Sequence, residues 1–190
     1  MNPVSWSTDG RFITYKTVGS KGYSEVWVLP QFPERAGGDR KPFPFLQSEE
    51  FTQSSPKFSP DGRWLVYQSN ESGRYEVYIQ SFPKRAGKWQ VSTGGGDRPR
   101  WSRDGKELFY LAPDQRLMAV AVKGDSAPEV GAPRPLFETR MFGGVRATVG
   151  FRQQYDVAPD SQRFLINVPV AEEASSPITL VLNWAAGLKK

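Results

Sequence analysis

Four aspartates hold the same place in a recurring stretch of this chain: Asp9, Asp61, Asp104 and Asp160, spaced 52, 43 and 56 residues apart. Carboxylates can bind calcium or carry protons. Calcium asks for about six to eight oxygens converging on one point, and aspartates on successive repeats are spread apart. Three of the four precede glycine between apolar runs, the pattern of a tight turn whose carboxylate accepts from the turn's own amides. They read as turn formers. A second candidate is the run Gly94-Gly95-Gly96-Asp97-Arg98. A phosphate-cradling loop would continue into Gly-Lys-Ser/Thr and a helix. This one does not, so it reads as a connection between strands, with ligand contact as the lesser alternative. The third set is the one with binding chemistry. Ser5, Lys57, Arg100 and Asp156 each stand one residue before an aromatic or Val157, and Arg98, Arg152 and Gln154 lie just upstream. Strand alternation turns such residues away from the apolar face beside them. Lys57, Arg98, Arg100, Arg152 and Asp156 are therefore the candidate ligand-binding residues, and their cations suit an anionic peptide, glycan or carboxylate.

Much other chemistry is excluded. The chain has no histidine and no cysteine, which removes disulfides, thiolate nucleophiles, His- or Cys-based zinc sites and any Ser-His-Asp triad. Ser20, Ser59, Ser102 and Ser126 sit among turn residues, and no Gly-x-Ser-x-Gly elbow occurs. No catalytic residue, metal or cofactor is assigned. Lys plus Arg is 25 and Asp plus Glu is 20, a formal charge of +5. Basic and acidic residues are interspersed without a basic tract, which predicts a mixed-charge surface and no nucleic-acid partner. No apolar run reaches the length of a membrane span, and residues 1–10 lack the charged and apolar regions of a signal peptide. Composition assigns no compartment.

These candidates need elements to hold them, and the repeat supplies them. Trp6-Ser7-Thr8-Asp9-Gly10-Arg11-Phe12-Ile13-Thr14-Tyr15 aligns with Phe58-Ser59-Pro60-Asp61-Gly62-Arg63-Trp64-Leu65-Val66-Tyr67 and with Trp101-Ser102-Arg103-Asp104-Gly105-Lys106-Glu107-Leu108-Phe109-Tyr110. Val157-Ala158-Pro159-Asp160-Ser161-Gln162-Arg163-Phe164-Leu165-Ile166 is a looser fourth copy. In each, a short strand enters the turn and a second leaves it with apolar side chains on both faces. A strand apolar on both sides must be covered on both sides. Third strands are predicted at 24–29, 76–82, 117–122 and 178–184, and outer strands at 89–93 and 136–139. An outer strand in the first unit is doubtful because Pro42 and Pro44 cannot donate to a ladder, although an edge would tolerate them. Nothing reads as a helix. Repeats of this period and content predict an all-β protein, a β-propeller of four antiparallel blades at about 1–46, 51–93, 97–139 and 151–190.

The predicted core is Trp6, Ile13, Tyr15, Trp27, Phe58, Leu65, Tyr67, Tyr78, Trp101, Leu108, Tyr110, Phe164 and Ile166. The fourth unit has no residues left for an outer strand. The chain is therefore expected to be part of a larger propeller, with a self-contained four-bladed ring as the alternative. Exposed end blades could pair two chains into a homodimer.

The stretch Phe58-Ser59-Pro60-Asp61-Gly62-Arg63-Trp64-Leu65-Val66-Tyr67-Gln68-Ser69, followed by Glu76-Val77-Tyr78, resembles the WD-type repeat of TolB-like β-propellers. Units one and three resemble it well. Unit four resembles it loosely, with Ser161 in place of the turn glycine. The end of the chain, from Tyr155-Asp156-Val157-Ala158-Pro159-Asp160 onward, is similar to the C-termini of bacterial proteins that join such a propeller to a serine/threonine protein kinase or a DNA-binding domain. The resemblance implies a non-catalytic sensory or interaction module, periplasmic or extracytoplasmic, that recognises a protein, a peptide or a small anionic ligand. The alternative it leaves open is the propeller portion of a kinase or prolyl-oligopeptidase-like peptidase whose catalytic domain lies outside this chain.

Overall fold

The computed structural model describes residues 2–31, 41–124, 126–141 and 154–168. Apolar residues on both faces of short, turn-bounded segments produce strands stacked face to face. The first sheet is β1 (Asn2–Trp6), β2 (Phe12–Val18), β3 (Ser24–Pro30) and β4 (Phe43–Leu46), paired antiparallel in chain order. The second is β5 (Gln53–Phe58), β6 (Trp64–Ser69), β7 (Glu76–Ser81) and β8 (Lys88–Gln90), in the same order. The third is β9 (Asp97–Trp101), β10 (Glu107–Leu111) and β11 (Arg116–Lys123), with β12 (Glu129–Val130) and β13 (Arg134–Glu138) side by side along the far edge of β11. A hairpin of β14 (Tyr155–Val157) and β15 (Phe164–Ile166) begins a fourth. Among the described residues there is no helix.

The core lies in three seams between successive sheets. Val26, Val28, Phe45 and Leu46 of the first meet Phe58, Leu65, Tyr67, Tyr78 and Phe82 of the second. Trp64, Val66, Val77, Ile79 and Val91 then meet Leu108, Tyr110, Val120 and Val122 of the third. Phe109, Leu111, Leu117 and Ala119 close on Tyr155, with Val157, Phe164 and Ile166 packed around them. Alternation along β6 and β10 feeds two seams each: in β6, Leu65 and Tyr67 point to the preceding sheet and Val66 to the following one. The seams are aromatic-rich. The Phe82 ring meets Phe12, Phe45 and Phe58 at 5.0 to 5.2 Å, distances at which tilted or edge-on rings attract.

Several expectations are corrected. The first sheet does have an outer strand: β4 accommodates Pro44 because β4 lies at an edge, beside a register break between Val26 and Trp27. In the second sheet the outer strand stops at Gln90, because Val91 and Ser92 turn inward and are buried. The third outer strand starts at Arg134, and β12 was not expected at all. Trp6, expected in the core, is 62% exposed. Its register partner is Ile13, on the face of the first sheet turned away from the second. The strand expected at 178–184 and the residue Arg152 lie outside the described residues.

Candidate functional site

The four aspartates serve their turns. Ser7 donates its hydroxyl to Asp9 at 2.6 Å, Asp9 accepts the Arg11 amide, and the Ser7 oxygen accepts the Phe12 amide. Ser59, Asp61, Arg63 and Trp64 repeat this arrangement, as do Ser102, Asp104, Lys106 and Glu107. The serine two residues before the aspartate was the part that sequence reasoning missed, though the Ser-x-Asp-Gly spacing carries it. The fourth turn has Ala158 there, and Asp160 takes the Gln162 and Arg163 amides instead. The serine hydroxyl and the turn amides hold the Asp9 and Asp104 carboxyls below their ordinary range. For Asp61 burial pushes upward, but the Ser59 and Arg63 hydrogen bonds outweigh it.

The glycine run connects β8 to β9, and its amides have an internal acceptor. Glu76 is 1% exposed, and its carboxylate accepts the Gly95 amide at 2.9 and 3.0 Å as well as the Ser92 hydroxyl. Arg74 lies 3.3 Å away. The protein's own carboxylate thus fills the place a bound anion would take in a phosphate loop. Gly95 has φ +99°, and a Cβ there would approach Pro113 to 2.5 Å.

The inner strands position the remaining candidates. Those of the first three sheets, β1, β5 and β9, each carry a bulge, whereas β14 pairs regularly. Ser54 pairs with Gln68 and Lys57 with Val66, so Ser55 and Pro56 together face Tyr67. Asp97 pairs with Leu111 and Arg100 with Phe109, so Arg98 and Pro99 together face Tyr110. Ser55 and Arg98 have φ of 55° and 52°, the left-handed region, uncommon for residues with a Cβ. Such bulges bend a strand and re-aim its side chains. The repeated Ser-Pro and Arg-Pro pairs were the available signal, since proline inside a sheet belongs at an edge or a bulge.

The bulges bring charged groups from three sheets together. The Lys57 ammonium donates to the Val4 carbonyl of β1. Arg100 Nε lies 3.8 Å from Asp156 Oδ1, and Arg98 Nε lies 3.8 Å from Asp97 Oδ2. Gln68 accepts the Arg98 amide at 2.9 Å, and the Tyr155 hydroxyl donates to the Arg98 carbonyl at 2.7 Å. Gln68 and Tyr155 were not singled out from sequence, and Asp97 only as part of the glycine run. Arg98 and Arg100 side chains are 14% and 16% exposed, whereas Asp156 is 70% exposed. Three buried polar atoms here accept or donate no hydrogen bond among the described residues: Asp97 Oδ1, Arg98 Nη1 and Arg100 Nε. Burial, then the neighbouring Arg100 cation, lowers Lys57 to about 7, and Asp156 offsets this only in part. Burial raises Asp97 against the pull of Arg98. Of the five predicted residues, the structure gathers Lys57, Arg98, Arg100 and Asp156. Their shared surroundings are the inner ends of the seams, where register sets Lys57 beside Val66 and Arg100 beside Phe109.

The chain is similar in structure to TolB from Acinetobacter baumannii, with TM-score 0.55 and 16% identity over 73% of this chain and 32% of that one. The putative TolB from Agrobacterium tumefaciens gives 0.56 and 18%, over 75% of this chain and 50% of that one. The fold is a TolB-like β-propeller. A putative 6-phosphogluconolactonase from Bacteroides uniformis shares the propeller at TM-score 0.51 and 16% identity, over 87% of this chain and 47% of that one. The chain thus spans between a third and a half of the length of these propeller proteins. No family model and no curated protein matches it. The four-stranded blades are β1–β4 and β5–β8, the third blade adds β12, and the described arc ends in the β14–β15 hairpin.

Proposed function

We propose that this propeller is a non-catalytic interaction and ligand-sensing module of a larger protein, and that it recognises an anionic group on a protein or peptide partner at the inner ends of its seams. The observation that supports the reading is the set Lys57, Arg98 and Arg100, cations from two adjacent blades, with Arg98 Nη1 and Arg100 Nε buried and without a hydrogen bond among the described residues. Buried donors left without acceptors cost free energy, so an incoming carboxylate or phosphate gains from pairing them. Asp97 and Asp156 answer only part of the charge, and Asp156 is mostly turned to solvent. Rigid blades hold the donors in place, so little ordering cost falls on binding.

The test is calorimetric titration of the chain with a capped tri-aspartate peptide, beside the double variant Lys57→Glu/Arg100→Glu. The native chain should bind, and the variant should lose affinity by about tenfold or more, given the worth of hydrogen bonds to charged groups. Equal affinity in a variant that keeps the native circular dichroism spectrum overturns the reading. Duplex DNA at the same salt concentration should give no comparable heat.

A further inference from the structure

Resting on that reading, we propose that anion capture at the seam is coupled to proton uptake, with Lys57 as the group that gains the proton. The geometry leads there. Lys57 is half-buried, and its hydrogen-bond partner is an uncharged carbonyl, that of Val4 on β1. Among the described residues, the charged groups that act on it are Arg100 on β9 and Asp156 on β14, with the neutral phenol of Tyr155 beside them, while Asp97 and Arg98 pair with each other further along β9. From the first blade, β2 contributes Lys16, which is also buried, on the face toward the second blade. β1 offers the Ser5 hydroxyl and the Val4 carbonyl, and β6 offers the amide of Gln68. Asp156 lies beside Arg100, and Asp97 beside Arg98. Among the described residues Lys57 thus has no ion pair of its own: its amine is half-buried on a neutral carbonyl, the Arg100 cation works against its charge, and Asp156, which offsets this in part, lies beside Arg100.

Such a lysine gives up its proton unusually readily: burial, and the Arg100 cation after it, lowers its pKa to about 7. An anion arriving beside it reverses the balance, because an opposite charge favours the protonated amine. By linkage, whatever the anion does for the proton, the proton does for the anion. Binding should therefore be strongest below pH 7 and weaken as the pH rises through that value. Arginine cannot lose its proton in this range, so Arg98 and Arg100 provide a constant attraction and Lys57 provides the part that responds to pH.

The experiment is titration of the capped tri-aspartate peptide at pH 6 and pH 8, in phosphate-free buffers of differing ionisation enthalpy. The native chain should bind about tenfold more weakly at pH 8, the change expected for a group that titrates near 7 and is held protonated in the complex. At pH 8 the observed heat should vary with the buffer and report uptake of up to one proton. The Lys57→Arg variant should show neither the pH dependence nor the proton uptake. Lys57→Met, checked for native circular dichroism, should bind more weakly than the native chain at pH 6. Equal native affinity at both pH values with no proton uptake overturns the coupling and leaves the anion site standing. Persistence of the uptake in Lys57→Arg overturns the role of Lys57. Absence of binding at either pH overturns the anion site itself.

Discussion

A buried hydroxyl decides how each Asp-Gly turn is held. Ser59 is 2% exposed, donates to Asp61 and accepts the Trp64 amide. Ser59→Ala should leave that amide unpaired and cost about 1–3 kcal/mol, measured by urea denaturation. The same change should shift the acid limb of stability. Asp61 titrates below its ordinary value in the folded chain. Its contribution is therefore present above the unfolded carboxylate pKa of about 4 and is lost as the pH falls through the lower folded value. Removing the serine should shrink that contribution, so the gap between native and Ser59→Ala stability narrows on acidification. A gap independent of pH would separate the hydroxyl from the carboxylate. The fourth turn already lacks the serine, and Ser161 holds φ 57° where the other turns have glycine at 72°.

At the level of the strand, what matters is that β6 is buried along its whole length. Its even and odd residues enter different seams, so no face of it is spare. Tyr67 stacks on Tyr78 at 5.8 Å, is 1% exposed and opposes the bulge at Ser55–Pro56. Tyr67→Ala should cost about 3–5 kcal/mol, the range for truncating a buried aromatic, in the same denaturation experiment. The bulges show how element and site are joined: an extra residue in β5 and in β9 interrupts the ladder beside Lys57 and Arg100 and re-aims the neighbouring side chains. A regular strand of the same composition would have kept Arg98 within the alternation, where its donors would have met apolar neighbours or water.

Across the whole molecule, equivalent positions are not equally covered. Leu65 and Ile13 occupy the same place in their blades, but Leu65 is fully buried and Ile13 is only half-buried. Leu65 faces the first blade. Ile13 shares with Trp6, Tyr15, Trp27 and Leu29 a face of the first blade that contributes to none of the three seams. Leu65→Asp should abolish cooperative folding, since it buries an unpaired charge. Ile13→Asp should cost less than about 2 kcal/mol, consistent with an accessible site. Thermal melts of the two variants check this, alongside light scattering of the native chain. Comparable losses in both would mean that this face is covered in solution.

How much was legible depends on the range of the interaction. The strands, the Asp-Gly turns and the apolar double face were readable because each rests on neighbours a few residues apart. The ring-like stacking followed, since four two-faced sheets have few other ways to hide both sides. Lys57, Arg100 and Asp156 could be singled out by their equivalent positions, and Arg98 by its place just upstream. Their company could not, because Gln68 and Tyr155 join Arg98 across the seams from neighbouring blades. Nor could the exposure of Trp6 be read, as an indole looks the same in sequence whether or not a neighbouring sheet covers it. Local chemistry by itself determined the repeat and its strands. Only the packing of one blade against the next decided which side chains are dry, which charges meet and which donors remain unpaired, because burial is a property of the assembled surfaces.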